Sequence, residues 1–168
     1  MKTAMNMQLI EIGAHFSECR KYRYALWRIW DHSKPLLMFV GLNPSTANEH
    51  GDDPTIRKVK AFANRLGYGG VYMMNCFPFV STNPEKLRDV GNTSENDEWL
   101  QKVGLICSDV IFAWGAFAVV RDTNRDRQLT DMFPGAKALV INKDGSPRHP
   151  LYVPYSVSPV LWKKGVVI

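Results

Sequence analysis

The chain has 168 residues, of which 45% are hydrophobic and 22% are charged. These proportions are ordinary for a soluble globular protein, and the length suits a single domain, residues 1–168, around one core. No run approaches the roughly 18 apolar residues of a membrane span, and the N-terminus lacks the apolar segment of a signal peptide. We therefore expect a cytoplasmic protein that does not enter the membrane.

The formal net charge of +5 favours polyanionic partners only weakly, because the basic residues are spread along the chain. The three cysteines, Cys19, Cys76 and Cys107, are far apart and form no Cys-x-x-Cys pair. That pattern predicts no disulfide framework and no metal site. The chain also lacks a P-loop, a dinucleotide fingerprint and a nucleophile elbow, so no cofactor is expected.

The first predicted elements lie in the N-terminal half. Residues 22–30 alternate basic and apolar side chains, which predicts an antiparallel strand at an edge or in a small hairpin. Residues 36–40 are five consecutive apolar residues followed by Gly41, which is typical of a buried strand. Asp53 followed by Pro54 predicts a helix start, and Gly67 predicts its end.

The remaining predicted elements continue the alternation of strands and helices. Apolar runs at residues 71–74, 110–114 and 138–141 predict strands, and apolar residues at helical spacing between them predict helices over about 94–107 and 117–132. Such strands favour a central, mainly parallel four-stranded sheet with helices on both faces, a three-layer α/β/α fold.

Polar or aromatic residues follow each predicted strand of this sheet. Asn43, Asn75, Trp114 and His149 all come after the carboxyl ends of strands. Because those ends share one edge of a parallel sheet, ligands bind there, and we expect these residues to converge. The Asn43 amide, held by the following Pro44, could orient a water or a base edge, although an Asn-Pro pair also simply starts turns.

The segments at these strand ends resemble motifs of the uracil-DNA glycosylase superfamily, in its mismatch-specific and single-strand-selective branches. The segments are Gly41-Leu42-Asn43-Pro44-Ser45, Met74-Asn75-Cys76, Phe112-Ala113-Trp114-Gly115 and Arg148-His149-Pro150-Leu151-Tyr152. The stretch from Gly41 to Ala47, with Asp53-Pro54-Thr55 after it, also resembles a bacterial and phage family of unknown function. The resemblance implies a uracil-DNA glycosylase-like fold and a hydrolase of base N-glycosidic bonds.

The resemblance also implies roles for individual residues. Asn43 would orient a water, His149 would donate to the base oxygen, and Asp53 is a further catalytic candidate because it could supply a carboxylate. The implied substrate-binding residues are Gly41, Leu42, Pro44, Ser45, Asn75, Phe77, Phe79, Trp114 and Leu151. Asn75 would read the base edge, Phe77 or Phe79 would stack on the base, and Leu151 would act as a wedge.

Structural roles remain open for several of these residues. Asp53 is also a helix cap, Phe77 and Phe79 also fit a core, and His149 also fits a loop that makes one backbone hydrogen bond. The sequence departs from the superfamily motifs in three places: Ser45 replaces a glycine, Leu151 replaces a serine, and Asn43 stands where the most active branch has aspartate. These departures count against binding of duplex DNA and fast uracil excision.

Two main hypotheses about function follow. The first is an enzyme that cleaves the N-glycosidic bond of uracil or of a modified or mismatched pyrimidine, in DNA or in a nucleotide. The second is a non-catalytic module that binds nucleic acid or a nucleotide on the same scaffold. A third, residual hypothesis is a hydrolase or transferase that acts on an acidic metabolite. The sequence leaves open the base, the strandedness of the substrate, turnover and the oligomeric state.

Overall fold

The structure is a computed structural model that describes residues 10–89 and 93–162. In these residues one mixed sheet of seven strands has the order β1-β2-β4-β3-β5-β6-β7. The strands are β1 (Glu11–Phe16), β2 (Arg23–Ile29), β3 (Leu36–Gly41), β4 (Gly70–Asn75), β5 (Asp109–Phe112), β6 (Lys137–Ala138) and β7 (Val160–Leu161). The helices are α1 (Pro54–Arg65), α2 (Ser94–Ile106), α3 (Ala118–Asp122) and α4 (Arg125–Met132), with short 3-10 helices at Pro84–Asp89 and Pro150–Tyr152.

The expected architecture, a central four-stranded sheet of the uracil-DNA glycosylase kind, is therefore wrong. Strand β3 pairs in parallel with β4 and β5, and β5 pairs in parallel with β6. The edges are antiparallel, since β1 pairs with β2, β2 with β4, and β7 with β6. Two-residue strands such as β7 leave no alternating pattern in the sequence, which is why the pattern underestimates the sheet.

Strand β2 is antiparallel and forms a hairpin with β1, as one of the two expected arrangements has it, but it is not an edge strand. It lies between β1 and β4, and almost all its residues are buried. Buried Arg23 and Arg28 produce the alternation of basic and apolar residues that suggested a half-exposed strand. Their hydrogen bonds to backbone carbonyls allow two guanidinium groups to lie inside the protein.

Helices cover both faces of the sheet. Successive side chains of β3 point to opposite faces, so Leu37 and Phe39 pack in the core beneath α1, whereas Met38 and Val40 pack with α2, α3 and α4. The predicted helix over 117–132 is in fact two helices, α3 and α4. Asn124 separates them, because its left-handed backbone, with φ of 59°, cannot continue an α-helix.

Helix α1 begins where the sequence predicts. Asp53 is its N-cap, and its carboxylate accepts a hydrogen bond from the backbone N–H of Ile56 at 2.9 Å. Pro54 occupies the first helical position, where its missing N–H costs nothing. At the other end Gly67 has φ of 90°, which a glycine adopts without strain. This start places the first turn of α1 close to the end of β3.

Candidate functional site

A cavity of about 620 Å³ lies at the carboxyl ends of β3 and β4. This volume is within the range of about 300–1,000 Å³ of small-molecule sites. The first wall, residues 41–56, runs from the end of β3 to the first turn of α1. The second wall, residues 142–152, is the loop that follows β6, and the segment 115–117 after β5 lies beside it.

Most of the residues selected from the sequence line this one cavity. They are Gly41, Leu42, Asn43, Ser45, Asp53, Asn75, His149 and Leu151. The structure thus brings Asn43, Asn75 and His149, which are distant in the chain, around a common space. It does so because the strands that precede Asn43 and Asn75 are adjacent and parallel.

Four of the selected residues lie outside the cavity lining, at Pro44, Phe77, Phe79 and Trp114. Phe77 and Trp114 are core residues, only 3% and 2% exposed, and Trp114 packs against the rings of Phe112 and Trp162. Phe79 is half-buried beside Tyr22, with ring centroids 6.0 Å apart. Neither phenylalanine thus lies where stacking on a base in the cavity would place it, since Phe77 is in the core and Phe79 is half-buried against it.

Asn43 is fixed by the protein backbone. Its side-chain nitrogen lies 3.1, 3.0 and 2.8 Å from the carbonyl oxygens of Pro44, Phe79 and Ser81, and donates to them. These bonds tie the end of β3 to the loop after β4. Since all the donors of the amide face protein acceptors, only its oxygen is available to a ligand or a water.

His149 is held in one tautomer. Its Nδ1 accepts a hydrogen bond of 3.2 Å from the backbone N–H of Leu151, so the neutral ring carries its proton on Nε2. Burial lowers the pKa of His149 below its usual value, and the negative charge of Asp53 opposes that shift. The neutral imidazole is therefore a hydrogen-bond donor through Nε2 at neutral pH.

Asp53 has both of the roles that the sequence left open for it. One carboxylate oxygen caps α1, and the residue also lines the cavity. It is the one carboxylate among the described lining residues. Its negative charge, in the first wall, acts on His149 of the second wall and on the buried Arg23. A half-buried carboxylate in this position can accept a proton from a bound water.

Arg23 is a lining residue that the sequence analysis did not select. It is 2% exposed, and its Nη1 donates to the carbonyl of Ala47 at 3.1 Å. Burial lowers its pKa to about 10, and the charge of Asp53 opposes this. A basic residue in an alternating strand pattern is normally read as solvent-facing, so no local signal marks Arg23 as part of a site.

The favourable orientation of the Asn75 amide follows from Arg23. With its oxygen towards Arg23, the amide accepts from Nη2 at 3.3 Å and its nitrogen donates to the carbonyl of Met74 at 3.2 Å. In the reverse orientation the amide nitrogen would face the Arg23 guanidinium, a donor, and the amide oxygen would face the Met74 carbonyl, an acceptor. Asn75 is 3% exposed and lines the cavity, so one N–H of its amide is left to face a ligand.

Arg28, on strand β2, holds the first wall in position through side-chain hydrogen bonds. Its guanidinium donates to the Asp52 carboxylate at 2.8 Å and to the carbonyls of Asn48 and Gly51 at 2.6 and 3.3 Å. Lys60 completes the arrangement with a second contact to Asp52 at 2.8 Å. Asp53, the next residue, is thereby fixed in position at the cavity.

Two glycines allow close approach at the cavity. A side chain on Gly41 would come within 2.6 Å of the Met73 methyl carbon and 3.1 Å of the Asn75 amide. Gly115 has φ of 78°, and a side chain there would lie 3.7 Å from Cβ of His149. The absence of a side chain at Gly41 therefore leaves room for the Asn75 amide beside β3. The positive φ of Gly115 turns the chain after β5 towards the second wall.

The opening of the cavity is partly apolar. Phe117, Leu151 and Tyr152 line it and are 40%, 42% and 76% exposed. Arg148 and Asn142 of the second wall also line it, and the sequence pattern marked neither of them as a site residue.

Among the described residues there is no group of three or more His, Cys, Asp or Glu side chains that could hold a metal ion. None of the helices in the described ranges is long and apolar enough to cross a membrane.

Comparison with known proteins identifies a family. Residues 23–151 match the model of a family described as a protein of unknown function, DUF1643. The match covers most of the chain, so the protein belongs to this family. Neither the curated proteins nor the solved structures contain a match to the chain. Nothing in these comparisons links it to the uracil-DNA glycosylase superfamily.

Proposed function

We propose that the protein binds a pyrimidine nucleobase in this cavity and hydrolyses its N-glycosidic bond. The observation that carries the proposal is the arrangement of Asn43, Asp53 and His149 around one cavity of suitable size. Each supplies a different group: an amide oxygen, a carboxylate and a neutral N–H donor. The resemblance of the segments around Asn43 and His149 to glycosylase motifs supports the same reaction.

The reaction needs charge to be stabilised at two places. The bond between C1′ of the sugar and the base nitrogen breaks, the electron pair leaves with the base, and positive charge develops on the sugar. Water adds its oxygen to C1′, and its proton passes to the carboxylate of Asp53 and finally to the base. The amide oxygen of Asn43 orients that water, since a neutral amide cannot take its proton.

His149 stabilises the leaving base. Its Nε2–H donates to the base oxygen on which negative charge develops. A neutral donor suits this role, because it retains its proton after the base has left. Asn75 offers an amide N–H from the cavity floor to a carbonyl oxygen on the edge of the ring. The two donors together position a planar ring that carries carbonyl groups.

Release of free base is the direct test. The full chain is incubated with oligonucleotides that carry uracil, hypoxanthine, mismatched thymine or a hypermodified pyrimidine, and the bases are separated by chromatography. We expect release of at least one of the pyrimidine bases, with a loss of at least about 100-fold in D53N and in H149Q, whereas release of hypoxanthine alone would contradict the pyrimidine specificity. The matched controls D131N and H32Q change exposed residues outside the cavity lining and should retain the wild-type rate.

A second candidate function is binding of the same ligand without turnover. The observation that favours it is the use of catalytic groups for structure: Asn43 gives its amide nitrogen to three carbonyls, and Asp53 caps α1. Tight binding of a base-containing ligand with no release of any base would establish this function. Binding by such a module should weaken in N75A and fall with added salt if phosphates are contacted.

A further inference from the structure

A hairpin presents Arg148 to the cavity. The backbone N–H of Arg148 donates to the carbonyl of Val140 at 2.8 Å, and that of Asn142 donates to the carbonyl of Ser146 at 2.8 Å. Gly145 closes the turn with φ of 84°. Ile141 pairs with Pro147 between these two bonds, so Arg148 and Asn142 are diagonal neighbours on one face of the hairpin, and both line the cavity.

A chain of hydrogen bonds fixes the Asn142 amide. The Asp144 carboxylate accepts from the Ser146 hydroxyl at 2.5 Å and from its backbone N–H at 2.9 Å. Because its proton is directed to Asp144, the Ser146 hydroxyl oxygen accepts from the Asn142 nitrogen at 3.0 Å. The Asn142 oxygen is then left to accept from Nε of Arg148 at 2.8 Å. The hairpin thus sets the plane of the guanidinium.

The outer edge of that guanidinium has no partner in the part of the protein that the structure describes. Across residues 10–89 and 93–162, the bond from Nε to Asn142 is the one hydrogen bond of the Arg148 side chain, and no ion pair includes it. Arg148 is half-buried, so water solvates its charge only partly. Its two terminal nitrogens form a planar pair of donors, which matches the oxygens of a phosphate.

The charges around the cavity leave Arg148 without a counter-ion. Asp53 is the one carboxylate among the described lining residues, and its charge acts on the buried Arg23. Asp144 is turned towards Ser146 and towards Arg121, which is 3.5 Å away. The lining therefore has two guanidinium groups and one carboxylate, and a ligand with one anionic group would balance them.

We propose that Arg148, aligned by Asn142, binds a phosphate group of the ligand, so that the substrate is a nucleotide rather than a free base or nucleoside. This inference rests on the proposed function for the base, but the phosphate site itself can be measured without it. The phosphate can belong to a mononucleotide or to a nucleic acid strand. Both supply the same tetrahedral anion, and the experiment separates them.

Binding to the full chain is measured by calorimetry with four probes: inorganic phosphate, deoxyuridine, deoxyuridine monophosphate and a single-stranded hexanucleotide containing uracil. We expect the monophosphate to bind at least about tenfold more tightly than deoxyuridine, because a charge-assisted bidentate contact is added. In R148Q that ratio should fall to about one, and in R148K it should fall partly, since lysine keeps the charge without the planar fork. R127Q, an exposed charge outside the cavity lining, should leave the ratio unchanged.

The role of Asn142 needs a readout that a general loss of structure would not give. N142A should weaken phosphate binding about threefold when Arg148 is present and should have no effect in the R148Q background. An equal effect of N142A in both backgrounds would contradict the alignment.

The probes distinguish the possible failures. Equal affinity for deoxyuridine and its monophosphate, unchanged in R148Q, would overturn the phosphate site and leave the proposed function standing. Binding of inorganic phosphate that depends on Arg148, with no binding of any base-containing probe, would support the site and overturn the proposed function. Binding of the hexanucleotide at least about tenfold more tightly than the monophosphate, with the same loss in R148Q, would support the site and identify a strand as the source.

Discussion

The two walls of the cavity use their polar side chains differently. In the first wall, the Asn43 amide nitrogen donates to three backbone carbonyls, and Arg28 holds the loop through the Asp52 carboxylate. In the second wall, His149 and Arg148 each make one side-chain hydrogen bond to the described residues, through Nδ1 and Nε. The first wall is therefore built into the fold, whereas the second wall keeps donors free for a ligand.

This difference predicts that substitutions in the two walls have different effects. Changes in the first wall and its anchors should lower the free energy of unfolding as well as ligand binding. Changes in the second wall should lower ligand binding with little effect on stability. A polar residue beside a cavity is thus informative about function only when its hydrogen bonds to the rest of the protein are known.

The largest expected effect is the loss of the Arg28 anchor. R28M leaves the Asp52 carboxylate with Lys60 alone and leaves the carbonyls of Asn48 and Gly51 without this donor. We expect the free energy of unfolding to fall by about 3 kcal/mol, since one partner of a buried ion pair is removed. Urea denaturation measures this, with R88M as a control at an exposed ion pair outside the first wall. A loss below about 1 kcal/mol would show that the first wall does not depend on Arg28.

Asn43 gives the next largest effect. N43A removes the donor to three carbonyls and should cost about 2 kcal/mol. N43D should cost at least as much at pH 7, because a carboxylate would face those carbonyls. The folded-state pKa of the new carboxyl should then lie above its unfolded value of about 3.9, since only the neutral acid can donate.

The pH dependence of N43D follows from that shift. The native state binds the proton more tightly than the unfolded state, so the loss of stability should be complete above the folded pKa and should disappear as the pH falls to the unfolded pKa. Urea titrations of wild type, N43A and N43D at several pH values measure it. A cost for N43D that does not change with pH would contradict the hydrogen bonding assigned to Asn43.

The sequence predicts the parts of this site that depend on strand ends. Asn43 and Asn75 follow buried apolar strands, and Asp53 precedes a proline at a helix start, so their positions follow from local patterns. The site residues Arg23, Asn142 and Arg148 do not follow from such patterns. Arg23 lies in a strand whose partners are set by tertiary pairing, and Arg148 depends on a hairpin bond to Asn142.

The fold shows the same division between local and long-range information. The bounds of α1 and β4 match their apolar patterns closely, because caps and buried runs are local signals. The end of the sheet beyond β5 follows the sequence less well: the strand predicted over 138–141 is only Lys137–Ala138, and the edge strand β7 consists of two exposed residues. Pairing between distant segments sets the length of β6 and defines β7, and no local pattern requires either.

The pH dependence of His149 is a smaller effect that concerns the second wall. Because its pKa is lowered, the imidazole stays neutral at pH values below the ordinary histidine pKa of about 6.5. Base release or ligand binding should therefore decline only at more acidic pH. The unfolded state protonates first, so stability should also fall as the pH drops from about 6.5 through the native pKa. The H149Q variant should lose both effects, and nuclear magnetic resonance titration of the imidazole gives the pKa directly. A native pKa above about 6.5 would contradict the burial of the ring.

The smallest expected effects are those of alanine at two glycines, and comparing them separates backbone strain from contact with the site. Gly115 and Gly67 both have positive φ, but only Gly115 has neighbours within 4 Å of a new side chain, at Phe117 and His149. G67A should cost about 1 kcal/mol from strain alone. G115A should cost slightly more and should also weaken ligand binding, because its side chain meets the second wall. Thermal denaturation and calorimetry compare the two variants, and equal binding by both would remove Gly115 from the site.

The most direct test of the cavity is a backbone amide titration of the isotope-labelled full chain with deoxyuridine monophosphate. If a nucleobase binds between the two walls, the resonances that shift belong to residues 41–56, 75, 115–117 and 142–152, and Asn43, Asn75 and His149 respond together. Shifts confined to another surface, or none at millimolar ligand, would contradict a nucleobase site between the two walls.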